Sequence, residues 1–156
     1  MPYGGNDWLE ITKEEIIEPG LPICDPHHHY WDLRIERTPY GRYLLHELLN
    51  DIKDHNVTST VFIEARAMYS ADLEKNYRPV GEVEFVEGLS AASASGIYGK
   101  SRASASIIGH ANLNLGNKVE PVLESLLEAS PKRFKGIRHI VACDDDKEVD
   151  SIPVYN

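Results

Sequence analysis

The chain has 156 residues, 42% hydrophobic and 26% charged, which fits one soluble globular domain with room for a real core. Its 16 lysines and arginines against 25 aspartates and glutamates give a net charge of −9 with neutral histidines. That balance disfavours nucleic acid and anionic membrane as main partners, since both need clustered positive charge, but leaves an anionic small molecule compatible through the local field of a pocket. The two cysteines, Cys24 and Cys143, form no C-x-x-C pair and no disulfide framework. With neither a signal-peptide pattern nor an apolar run of membrane-spanning length, a reducing, cytoplasmic setting is expected.

An irregular N-terminal arm covers residues 1–21, with Thr12 and Glu15 spaced to cap a short turn. "LPICD" follows Pro-Gly punctuation and is long enough for a buried strand. Residues 30–42 have loop composition. "YLLHELLNDIKDH" then sets Leu44, Leu45, Leu48, Leu49 and Ile52 on one helical stripe. "VTSTVFIEAR" is β-branched and apolar, a buried strand. Residues 67–80 form a polar loop in which Met68 and Tyr69 serve loop packing. "VGEVEFVEGLSAASASG" predicts a helix ending at Gly96, weakened by its serines. "ASASIIGHANL" predicts a small-residue strand. In "NKVEPVLESLLEAS", Val119, Val122, Leu123, Leu126 and Leu127 follow helical spacing, and Pro121 sits in the tolerant first turn. "RFKGIRHIV" predicts the last strand, and residues 144–156 form an acidic tail. Strands alternating with helices over short connections imply an α/β fold with about four parallel strands and right-handed crossovers.

The chemistry concentrates in "PICDPHHHYWDL". Side chains of an extended strand alternate faces, so Asp25, His27 and His29 share one face while His28 takes the other. His27 and His29 then aim two imidazoles at one point past the strand's C-terminal end, a presentation that suits zinc and similar divalent ions. A histidine-rich surface loop is the bland alternative. His46 and His55, in and after the first predicted helix, are expected in solvent.

"DPHHHYWDLR" resembles the D-x-H-x-H opening of the amidohydrolase superfamily, closest to the amidohydrolase-2 group of lactonases and decarboxylases. The similarity continues in order through "VFIEARAMY", "IIGHANLNLG", "VEPVLE" and "RFKGIRH", from about residue 20 to 143. It implies a (β/α)8 TIM barrel with its site at the C-terminal strand ends, of which residues 22–143 would form half. It further implies His27 and His29 as ligands of a divalent metal, zinc by preference. His139 and Glu64 become catalytic candidates, and Arg66, His110 and Arg138 substrate-binding ones, the arginines suiting a substrate carboxylate. Each has an ordinary alternative. Glu64 and Arg66 are equally readable as an ion pair, His110 as a half-buried residue bonded to backbone. Arg138 faces opposite to His139 unless the strand ends between them.

The implied reaction is hydrolysis of a small, carboxylated lactone, ester or amide. Non-oxidative decarboxylation at the same metal is the enzymatic alternative, and a non-catalytic fragment or assembly subunit is the other. The family's later-strand ligands have no counterpart here, and a full barrel needs on the order of 250 residues. Truncation, low activity of the isolated chain, and self-association or a missing C-terminal half are therefore expected.

Overall fold

The computed structural model describes residues 11, 14–33 and 40–141. The Thr12 turn, Cys143, the acidic tail and most of the N-terminal arm fall outside them. In chain order the elements are β1 (Ile23–His28), α1 (Leu45–Ile52), β2 (Val57–Ile63), α2 (Pro79–Ala94), β3 (Arg102–Gly109), a 3-10 segment (Leu113–Val119), α3 (Glu120–Ala129) and β4 (Phe134–Ile137). All strands pair in parallel in the order β1-β2-β3-β4, which is the α/β arrangement the alternating pattern predicts. The described strands form an open sheet with β1 and β4 at its edges. No helix among the described residues is long and apolar enough to cross a membrane.

The helices are shorter than their sequence patterns, for local reasons. In α1, Leu45 and Leu48 are buried and Leu44, Leu49 and Ile52 pack partly against them. The Leu44 N–H ahead of its first turn is taken by the Glu47 carboxylate at 2.8 Å. In α3, Val122 and Leu126 are buried, but Leu127 is 50% exposed, so the buried face is narrower than the apolar stripe. The residues ahead of α3 form a 3-10 segment instead of its first turn, because Gly116 takes φ +57°, ψ −135° and interrupts helical winding. The expected strand over 133–141 stops at Ile137, so Arg138 and His139 lie past its end.

Helix α2 spans Pro79–Ala94, with Gly96 in a left-handed conformation just beyond it. Its buried face carries Pro79, Val80, Glu82, Val83, Val86, Ser90 and Ser93. The serines that weaken its propensity tie it to β3. Ser90 Oγ reaches the Val86 and Ser104 carbonyl oxygens at 2.7 and 3.1 Å. Ser93 Oγ donates to the Ser101 carbonyl and accepts from the Ala103 N–H. Each buried hydroxyl is thus satisfied by backbone, as burial requires.

Phe62 of β2 and Ile107 of β3 lie in one core cluster with Val83, Val86 and Leu126 of the helices, all fully buried. Tyr30 stacks on Phe62 at 5.7 Å, and His28 sits edge-on to both. His28 is 7% exposed, with Nε2 3.2 Å from Ser104 Oγ. Burial lowers its pKa to about 4, with Asp25 opposing. The fold therefore prefers the neutral ring. That preference is complete above the free value of about 6.5 and is lost as pH falls from there to about 4, a cost of about 3 kcal/mol. Urea denaturation at pH 7.5 and pH 4 should show this loss, and His28→Gln should lose markedly less on acidification. Equal losses would show that His28 does not report the acid instability.

Candidate functional site

The C-terminal end of β1 presents the histidines on alternating sides. His28 enters the core, while exposed His27 and half-buried His29 meet outside it with Nε2 atoms 3.1 Å apart and rings at 81°. Asp25 Oδ1 accepts the His27 N–H at 3.0 Å, bracing the backbone at a register shift between Asp25 and His28. His29 Nδ1 lies 2.8 Å from the Ile63 carbonyl oxygen. A carbonyl only accepts, so Nδ1 carries the proton and Nε2 of the neutral ring is a lone pair. Burial lowers the His29 pKa, which keeps that lone pair available near neutral pH. His27 Nε2–H then donates to it, or both nitrogens turn lone pairs to one cation. Two nitrogens bound at about 2.0–2.1 Å to a tetrahedral zinc sit about 3.3 Å apart, close to the separation found. Among the described residues no group of three or more His, Cys, Asp or Glu is placed to hold a metal.

Beside it, a network joins the strand ends. Glu64 is 2% exposed, and its Oε1 accepts from Arg138 Nε at 2.9 Å and from the other arm of that guanidinium at 2.8 Å. Arg138 also donates to the Glu64 carbonyl. His110 Nδ1 lies 3.0 Å from the Arg138 carbonyl oxygen, and His139 Nδ1 accepts the Leu113 N–H at 3.2 Å. These bonds give the neutral rings opposite characters. His110 keeps a lone pair at Nε2, and His139 keeps a proton there. Burial lowers the His110 pKa and so favours its neutral form. The two rings meet edge to face at 5.7 Å.

The segment joining β2 to α2 supplies the third part. Arg66 and Met68 adopt left-handed φ values of 58° and 53°, which L-residues hold at a cost of about 1–2 kcal/mol each. Fully buried Glu82 sustains the turn: its Oε1 accepts the Ala65 and Ala67 N–H groups at 3.1 and 2.7 Å, on either side of Arg66. Gly81 lets the helix approach this far. A Cβ there would sit 2.7 Å from Ser70 N and 2.8 Å from the Met68 carbonyl oxygen. The resulting cavity, about 310 Å³, is bounded by this segment and by the residues after β3 and β4, Arg66, His110 and His139 among them.

The candidates named from sequence therefore separate. His27 and His29 converge. Arg66, His110 and His139 line the cavity. Glu64 and Arg138 form a partly buried ion pair at the strand ends, and the parity question has its answer: β4 ends before Arg138, and the Arg138 and His139 side chains take different partners. His110 is half-buried and backbone-bonded as well as cavity-lining. Tyr69, read as loop packing, lines the cavity, while Met68 is 42% exposed. His46 and His55 are exposed, as expected. Sequence reasoning missed Glu82, Lys75 and Arg78. The signal for Glu82 was its place three residues after Pro79 and four before Val86, on the apolar side of α2. Comparison of the chain with protein-family models, curated proteins and solved structures finds no match.

Glu82→Ala removes the carboxylate that accepts from the Ala65 and Ala67 N–H groups and should destabilise the fold by about 2–4 kcal/mol. Glu82→Gln keeps a carbonyl oxygen at that position and should cost less than half as much. Denaturant midpoints of the two variants measure this, and an unchanged midpoint for Glu82→Ala would remove the clamp from the account of Arg66.

Proposed function

We propose that this chain is part of a (β/α)8 metal-dependent hydrolase of the amidohydrolase-2 type, acting on a small, carboxylated lactone, ester or amide. The observation that carries this reading is the convergence of His27 and His29 Nε2 at 3.1 Å, with the His29 tautomer fixed by the Ile63 carbonyl. The ordered resemblance of the strand-end phrases supports it, as does the gathering of polar side chains past the strand C-termini, where barrel enzymes place their sites.

His27 and His29 would hold the ion. A divalent metal bound there supplies Lewis acidity, activating water and polarising a carbonyl. The chain's own residues do the rest. His110 Nε2 accepts a proton, His139 Nε2–H donates one to an oxygen of the substrate, and Arg66 attracts a carboxylate. Glu64 acts through Arg138, whose backbone carbonyl fixes His110. Among the described residues β1 and β4 are the sheet edges, and pairing with a C-terminal half or a second copy would cover the N–H and C=O groups of such edges.

Zinc titration by calorimetry in a non-coordinating buffer should show one site per chain. Two protein nitrogens are fewer than the three usual at a catalytic zinc, so modest affinity is expected. His27→Ala and His29→Ala should each weaken it at least about tenfold, while exposed His46→Ala leaves it unchanged. Absence of a site, or equal affinity in both β1 variants, would sink the metal assignment. If the zinc-loaded protein turns over carboxylated lactones and His139→Ala does not lower that turnover, the catalytic role of His139 fails separately.

A further inference from the structure

We infer that the cavity between the β2–α2 segment and the ends of β3 and β4 binds a small molecule through an uncharged amide whose N–H and C=O lie on one edge, as in a primary carboxamide. The two rings that line the cavity after β3 and β4 carry complementary nitrogens. His110 donates from Nδ1 to the Arg138 carbonyl and keeps a lone pair at Nε2. His139 accepts the Leu113 N–H at Nδ1 and, in its neutral form, keeps its proton at Nε2. Rings meeting edge to face at 5.7 Å hold this acceptor and this donor within the span of one small planar group. Among the described residues no hydrogen bond engages either Nε2.

Backbone fixes both tautomers. The carbonyl that holds His110 belongs to Arg138, whose own N–H reaches the Gly109 carbonyl at 2.8 Å and whose guanidinium is tied to Glu64. The N–H that holds His139 lies in the turn that Asn112 Oδ1 closes by accepting the Asn114 N–H at 3.1 Å. Exchanging the roles of the two neutral rings would cost each its bond to backbone. His110 becomes a donor at Nε2 only by taking up a proton, which burial opposes by lowering its pKa. The order of acceptor and donor is therefore set before any ligand arrives, and a ligand that matches it loses little to rearrangement.

Few groups match that order. An ester or lactone has oxygens that only accept, so it satisfies His139 and sets lone pair against lone pair at His110. A trans secondary amide points its N–H and C=O to opposite sides and reaches one ring at a time. A primary carboxamide presents both on one edge and meets the two rings together. A site that hydrogen-bonds an N–H rejects the analogue lacking it, because its own polar group is then left unpaired. The volume, about 310 Å³, lies at the lower end for small-molecule sites and admits an amide with a body the size of a phenyl ring. Pro79 and Ile140 give that body apolar surface.

Among lactone, ester and amide substrates this selects the amide, and to that extent it rests on the hydrolase reading; as a binding site it stands without it. The test uses the whole chain, metal-free in EDTA, titrated with benzamide, N-methylbenzamide, N,N-dimethylbenzamide and methyl benzoate and followed by amide and imidazole NMR shifts. All four probes are uncharged, which takes the charges of the cavity out of the comparison. Benzamide should bind at least about tenfold more tightly than each of the others and shift the His110 and His139 ring signals. His110→Phe keeps a ring, removes the acceptor and should bring benzamide to the affinity of methyl benzoate. The probe series is read on the unaltered chain, so it decides even where that variant fails to fold. Affinities within tenfold of one another, no saturation by benzamide, ring signals that stay unmoved, or an unchanged preference in folded His110→Phe would overturn the proposal. Zinc binding at His27 and His29 without a benzamide site would sink this proposal alone, and benzamide binding by a chain that never takes zinc would sink the hydrolase reading alone.

Discussion

The pairing of Glu64 with Arg138 across the sheet is the constraint on which the rest of the strand-end arrangement depends. A carboxylate 2% exposed is tolerable only when its charge is met, and here one guanidinium meets both its side chain and its backbone carbonyl. The pair bridges β2 to β4, passing over β3. Around it each neighbouring strand is tied to the next at the same level. His29 reaches the Ile63 carbonyl, the Glu64 N–H reaches Ile108, and the Arg138 N–H reaches Gly109. His110 then takes the Arg138 carbonyl. Strand ends normally fray into solvent-seeking backbone, but these are closed by side chains that also carry the candidate chemistry. Their order and the geometry of the site are one property.

That coupling has an energetic consequence. Removing one partner of a buried pair strands the other, so Glu64 and Arg138 are bound to each other more tightly by the penalty of separation than by net attraction. Evolution of the site is then easiest at its periphery. Lys75 and Arg78, exposed and outside the network, can change what the cavity attracts without disturbing what holds it, whereas His110 cannot move without its carbonyl partner.

The amino-acid sequence discloses the parts of this that follow from local periodicity. The alternation of "DPHHH" puts His27 and His29 together and His28 apart, and the strand-helix alternation gives a parallel sheet. The same logic reaches too far where a contact decides the outcome. Leu127 fits the helical stripe of α3 yet remains half exposed, outside the narrower face that buries Val122 and Leu126. Arg138 has a partner 74 residues earlier, a relation that no spacing rule contains. Arg66 is legible as a charge after a strand. Its left-handed backbone is not, because it is imposed by Glu82 from a helix that begins thirteen residues later. A glutamate within "VGEVEF" reads as a solvated position unless its place on the apolar side is weighed against its charge.

Electrostatically the strand ends divide into two halves with Glu64 between them. Its charge opposes the lowering of the His29 pKa on one side and of the His110 pKa on the other, while Arg138 lowers the first and Arg66 the second. Desolvation dominates both, so both rings are biased towards the neutral form. Each neutral ring keeps a lone pair at Nε2, since each Nδ1–H is taken by a backbone carbonyl. One ion pair thus lies within electrostatic reach of the His29 ring on the β1 side and of the His110 ring on the other.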